Sequence, residues 1–195
     1  MKRRNYYLFF FVVVLVLMSV TACKSKNANS KLSKEALEIC GSWAYSHDEE
    51  TEIVVFREDG TAKYENKEYT FECDSQFIKL EDADGEALQL RYEVNDRGIV
   101  LYMSTTYTYS GEGEPDGLVG EWSAKDGKWS YIFTEGGEFL EDGYFPGTYT
   151  VNEKDSTFNL NYLEQYYDEL MCYYQIEGNM LHIKYPWQMV KTEAK

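Results

Sequence analysis

The sequence predicts an all-β protein made of two tandem antiparallel meander repeats, small barrels or half-barrels set one after the other along the chain. Three observations carry that expectation. Short segments alternate apolar and polar residues with a period of two and are bounded by Gly, Asp and Asn turns, the pattern of half-buried strands. Residues of the two halves recur in the same order: Gly41 and Trp43 with Gly120 and Trp122, Phe56 and Gly60 with Phe133 and Gly137, Tyr69-Thr70 with Tyr149-Thr150, and Leu90 and Gly98 with Leu170 and Gly178, at offsets of 79, 77, 80 and 80 residues. The offsets change only across turns, as happens when loops vary while strands keep their length. Finally, 27 of the 173 residues after Ala22 are aromatic and Tyr supplies 16 of them, a composition that suits pleated, half-buried surfaces.

The chain opens with Lys2, Arg3 and Arg4, runs through an apolar stretch from Tyr6 to Met18, and reaches the small residues Ser19, Val20, Thr21 and Ala22. Charge, apolar core and small residues in that order read as a secretory signal over residues 1–22. The apolar run of 13 residues is shorter than the roughly 20 needed to span the hydrocarbon. Residues 23–33 follow as a flexible basic tether, rich in Ser, Asn and Lys and without aromatics. Its lysines suit either a soluble spacer or one lying on anionic headgroups.

The one helical candidate is Lys34 to Cys40, with Ser33 as N-cap, Glu35 in the first turn and Gly41 as the stop. The first repeat is expected over 34–109, a linker over 110–117 (Ser-Gly-Glu-Gly-Glu-Pro-Asp-Gly), and the second repeat over 118–195, with about seven short strands each. Leu88, Leu90, Tyr92 and Val94 form one inward row, and Leu170, Cys172, Tyr174 and Ile176 repeat it. Glu58-Asp59-Gly60-Thr61 and Glu177-Gly178-Asn179 are hairpin turns by composition. Ile53 and Val55 oppose Val54 and Phe56 on one strand, which is thus apolar on both faces and offers one of them to the other repeat.

Val20-Thr21-Ala22-Cys23 resembles the lipobox of bacterial lipoproteins. That resemblance implies diacylglycerol on Cys23, a mature chain beginning there, and residence at the extracytoplasmic face of the cell membrane. The short helix followed by Gly41-Ser42-Trp43, repeated as Gly120-Glu121-Trp122, resembles the start of a lipocalin. With Phe56 to Thr61 (F-x-x-D-G-T) and Gly147 to Val151 (G-T-Y-T-V), the chain is similar to the short lipocalin-like domains of bacterial surface lipoproteins. Each repeat is about half a full lipocalin in length and lacks its C-terminal helix, which argues against a roomy calyx.

From Glu35 onward there are 12 basic and 34 acidic residues, a net charge of −22, so nucleic acid phosphates would be repelled. With two histidines, most general-base and zinc schemes fall away. Ser46, His47 and Asp48 are adjacent in an acidic turn and cannot readily converge as a triad, while His182 alternates outward beside Lys184. The acidic run Glu81 to Glu86 fails the register of a calcium loop. Cys40, Cys73 and Cys172 are an odd set without C-x-x-C spacing; Cys73 and Cys172 fall on inward rows as small core residues. No cofactor, metal site or catalytic residue is expected.

Trp43 and Trp122, at matching positions, are core anchors. Trp129 and Trp187 lack such matches and are the ligand candidates, with Tyr107 and Tyr109 beside the linker and Tyr166 and Tyr167 in the least regular stretch. The functional expectation is a non-enzymatic binding or envelope-interaction module held on the membrane by its lipid, with an unidentified protein as partner. The alternative is a carrier of a small hydrophobic ligand in a cavity shared by the two repeats, and a hydrolase stands further off.

Overall fold

A computed structural model describes residues 32–163 and 169–192. Helix α1 (Lys34–Ile39) is capped by Ser33, whose hydroxyl accepts from the Ala36 N–H at 3.0 Å, and it buries Ala36 and Ile39. Seven strands follow: β1 (Gly41–Tyr45), β2 (Asp48–Phe56), β3 (Thr61–Tyr64), β4 (Lys67–Cys73), β5 (Phe77–Glu81), β6 (Ala87–Asn95) and β7 (Gly98–Tyr109). After the 110–117 segment come β8 (Gly120–Ala124), β9 (Ser130–Phe133), β10 (Glu138–Glu141), β11 (Phe145–Asn152), β12 (Thr157–Tyr162), β13 (Leu170–Glu177) and β14 (Met180–Thr192). No helix among the described residues is long and apolar enough to cross a membrane.

Each strand pairs antiparallel with its sequence neighbour and β1 pairs with β14, so the fourteen strands close into one ring without a free edge. The two long strands β7 and β14 also pair with each other over ten positions, from Ile99 opposite Met189 to Thr108 opposite Met180. That pairing divides the ring into two circuits of eight strands. One runs from β1 to β7 and returns through the C-terminal part of β14; the other runs from β8 to β14 and returns through the C-terminal part of β7. Each circuit thus borrows its closing strand from the other half of the chain.

Alternation fills the two interiors. Trp43, Val54, Phe56, Phe71, Ile78, Leu80, Leu101 and Met189 belong to one buried cluster, and Trp122, Tyr131, Phe133, Phe139, Phe158, Leu160, Leu181 and Ile183 to the other. The buried indoles are placed alike: Trp43 Nε1 donates to the Ile39 carbonyl at 2.8 Å and Trp122 Nε1 to the Leu118 carbonyl at 2.7 Å. The F-x-x-D-G-T segment makes the β2–β3 turn as its residues dictate. Gly60 takes φ +83°, which glycine adopts without strain, and Asp59 accepts from both the Thr61 N–H and its hydroxyl.

Two expectations are corrected. Of the β6 row, Leu90 and Tyr92 are buried but Leu88 and Val94 are exposed, because each stands one residue from an end of the strand and beyond the cluster. The join between the halves is not made by the second apolar face of β2. Ile53 packs partly against the first cluster instead, and the backbone pairing of β7 with β14 links the halves.

Candidate functional site

On β11, β12 and β13 a groove of about 420 Å3 is lined by outward residues of the sheet together with Val151, the buried Phe158 and Asp155 of the β11–β12 turn. Period two decides the lining: Phe158, Leu160 and Cys172 are buried, so Thr157, Asn159, Met171 and Tyr173 face outward. Registers set Thr150 opposite Asn159, Asn152 opposite Thr157, and Tyr173 opposite Thr157. Asn152 Nδ2 donates to Asp155 Oδ2 at 2.9 Å. Among the described residues the side chains of Thr150, Thr157 and Asn159 and the Tyr173 hydroxyl have no hydrogen-bond partner, so a groove of ligand-binding size presents free donors and acceptors beside one aromatic ring.

Tyr173 also belongs to a second cluster that crosses the join between the circuits. In register across β5, β6 and β7 stand Phe77, Arg91 and Tyr102. The Arg91 guanidinium carbon lies 4.5 Å from the Tyr173 ring centroid, 5.7 Å from Phe77 and 5.9 Å from Tyr102, an aromatic box of the kind that attracts cations. Tyr102 meets Tyr173 edge-on at 5.2 Å and donates its hydroxyl to Glu93 Oε1 at 3.1 Å. Burial pushes the Tyr102 phenol up, which keeps it a neutral donor. Glu93 stands 3.9 Å from Arg91 Nε, too far for a hydrogen bond, and that buried nitrogen has no hydrogen-bond partner. Lys184 stands opposite Tyr173 on β14, unpaired among the described residues.

A third constellation is internal. In the second circuit the hydroxyls of Tyr131 and Tyr162 donate to the two carboxylate oxygens of Glu141 at 2.6 and 2.5 Å. Tyr107 and Tyr185 share a 2.8 Å hydroxyl contact beside them, and Tyr185 in turn meets Tyr131. Burial raises the Glu141 pKa against the pull of its two phenol donors, and it raises all four phenols. Cys172 lies near this group with its thiol pushed up by burial, so it is a neutral core atom rather than a reactive thiolate.

Among the described residues, the sequence-predicted ligand residues Trp129, Trp187, Tyr107 and Tyr109 make no ring contact with one another. Trp129 is exposed in the turn before β9, whereas Trp187 is half-exposed on β14 and packs with Tyr45 and His47, the ring centroids 5.1 and 6.1 Å away. Tyr107 is buried within the second cluster and Tyr109 lies against Trp122, 5.1 Å between centroids. Tyr166, Tyr167 and Cys23 lie outside the described residues. His182 bonds the Thr106 hydroxyl through Nδ1 at 2.9 Å, on the opposite face of β14 from Trp187. Cys40, Cys73 and Cys172 are free thiols. In the acidic turn Asp82 accepts from the N–H groups of Asp84 and Glu86 and pairs with Lys67, and no group of His, Cys, Asp and Glu among the described residues is set to hold a metal.

Sequence reasoning missed Arg91, Tyr102, Tyr173 and Glu141. Arg91 falls between the inward Leu90 and Tyr92, so alternation sets it outward, but the box needs the β5–β6–β7 register and a ring from the other half of the chain. No protein-family model, curated protein or solved structure matches the chain.

Proposed function

We propose that the chain is a lipid-anchored, extracytoplasmic binding module that works through its outer surface, and that its halves are two copies of one lipocalin-like unit. The observation that carries this reading is the contrast between interior and exterior. Eight strands leave room for side chains or one small ligand, and here aromatic clusters occupy both interiors. The free polar groups and the boxed arginine lie outside, on the groove of β11–β13 and at the join. The matched indole bonds of Trp43 and Trp122 support the repeat, and the sequence around Cys23 supports the anchor. Binding without catalysis fits the scatter of His47 and His182 on opposite faces and the neutral, buried state of Cys172.

The anchor is tested by replacing Cys23 with Ala. Metabolic labelling by palmitate and sedimentation with membranes are expected to be lost together in the variant. A Cys23→Ala protein that is still labelled would overturn the assignment.

A further inference from the structure

We propose that the β11–β13 groove together with Arg91 is a binding site for a saccharide bearing a carboxylate, a uronic acid unit within a short glycan; this rests on the binding-module reading above. Sugar hydroxyls meet the groove and the carboxylate meets the guanidinium.

The groove supplies what a sugar ring needs. Thr150, Thr157 and Asn159 offer hydroxyls and a planar amide free of partners among the described residues, and their registers set them side by side on a sheet face. Tyr173 adds to the lining an aromatic ring and a hydroxyl without a partner among the described residues, the amphipathic combination that packs on C–H faces while bonding hydroxyls. An extended peptide is disfavoured by the same geometry. Strand addition requires an open sheet edge, and this ring has none.

Arg91 supplies the anionic contact. Its fork is held between Tyr173, Phe77 and Tyr102, so little rotamer entropy remains to be lost when a carboxylate docks on it. Its side chain keeps 23% exposure, and Glu93, which accepts the Tyr102 hydroxyl, stays 3.9 Å from Nε. Arg57 and Lys79, by contrast, are closed onto Glu68 at 2.7 Å and Glu81 at 2.8 Å, and Lys67 is closed onto Asp82. Lys184, opposite Tyr173, adds a second positive charge next to that ring. The body carries a net charge of −22 after Lys34, so a simple anion is repelled at a distance. Beside the groove the positive groups are Arg91, against the Tyr173 ring, and Lys184, in register with it, while the Asp155 carboxylate in the lining accepts from Asn152 Nδ2. A ligand must therefore combine one carboxylate with neutral hydroxyl contacts, which is the composition of a uronate-containing saccharide.

The test uses the full mature chain in detergent, titrated with tri-galacturonate and with neutral galactotriose by calorimetry and by 1H–15N NMR. Tri-galacturonate is expected to bind at least about tenfold more tightly than galactotriose and to shift the Asn159 side-chain amide and the Tyr173 backbone amide. Arg91→Lys, which keeps charge and stem but loses the planar fork, is expected to weaken binding about tenfold while leaving the spectrum of the free protein dispersed; Asn159→Ala is expected to weaken it about threefold. Equal binding of tri-galacturonate by wild type and Arg91→Lys overturns the proposal. So does the absence of binding at about 10 mM ligand, and so does acetate binding as tightly as tri-galacturonate, which would leave an anion contact without a sugar site. Any of these would remove the saccharide assignment alone, because the anchored module is judged independently by the labelling of Cys23 and by the intact mass of the chain.

Discussion

Met189 is the residue at which the shared closure of the two circuits can be tested most simply. It belongs to the second half of the chain, yet its side chain is fully buried in the first cluster, and it stands opposite Tyr45 on β1 and Ile99 on β7. Met189→Ala removes three heavy atoms, costing about 2 kcal/mol in transfer free energy at ~0.8 kcal/mol per methylene-sized group. A term of about 24 cal/mol per Å3 is added for whatever cavity remains. The sum, about 2–4 kcal/mol, is a large part of the roughly 5–15 kcal/mol that holds a domain together. Equilibrium unfolding in urea measures the total, and amide hydrogen exchange shows where it falls. Protection is expected to drop first in β1, β2 and the N-terminal part of β7. Leu181→Ala, a comparable truncation on the same strand within the second cluster, is expected to act on β8, β13 and the C-terminal part of β7 instead. A Met189→Ala protein destabilised by less than about 1 kcal/mol, or one losing protection only in the second circuit, would refute the reasoning.

Two further substitutions probe the interiors. Trp122→Phe leaves the Leu118 carbonyl without its buried donor and Trp43→Phe does the same to Ile39; each is expected to cost about 1–3 kcal/mol for the orphaned carbonyl plus lost packing, and thermal unfolding should rank them alike. Glu141 has a folded pKa raised above its ordinary value, so the native state holds its proton more tightly than the unfolded state and Glu141 favours folding less as pH rises from the ordinary carboxylate range through the raised value. Stability measured relative to Glu141→Gln should accordingly fall for the wild type over that window and be flat above it. A wild type that gains on the variant with rising pH would show the carboxylate to be stabilised by its phenols overall.

How much of this was readable in advance follows from the range of each signal. The Ser33 cap, the Asp59-Gly60 turn and the outward or inward sense of Cys172, Leu90 and His182 are local, and alternation or turn chemistry exposes them directly. The matching of Trp43 with Trp122 also survives in the sequence, because offsets near 80 residues can be compared without knowing any contact. Ring closure could not be read in this way. Pairing Ile99 with Met189 is a contact across 90 residues, and its trace in the sequence is the length of β7 and β14, 12 and 13 residues against 4–9 elsewhere. The candidate site was hidden for the same reason. Arg91 looks like any outward charge on an alternating strand until Tyr173 arrives from the other half, and Glu141 resembles a rim carboxylate in Phe-Leu-Glu-Asp-Gly until the phenols of Tyr131 and Tyr162 enclose it.

The proposed function has the chain act from the membrane through its exterior rather than by carrying a ligand within. Native mass spectrometry of the protein, extracted gently from membranes, reads both parts at once. The mass expected is that of a chain starting at Cys23 with its covalent lipid and with no further hydrophobic species bound. A reproducible one-to-one adduct of a noncovalent lipid or other apolar molecule, released on activation in the gas phase, would contradict the account and make the protein a carrier.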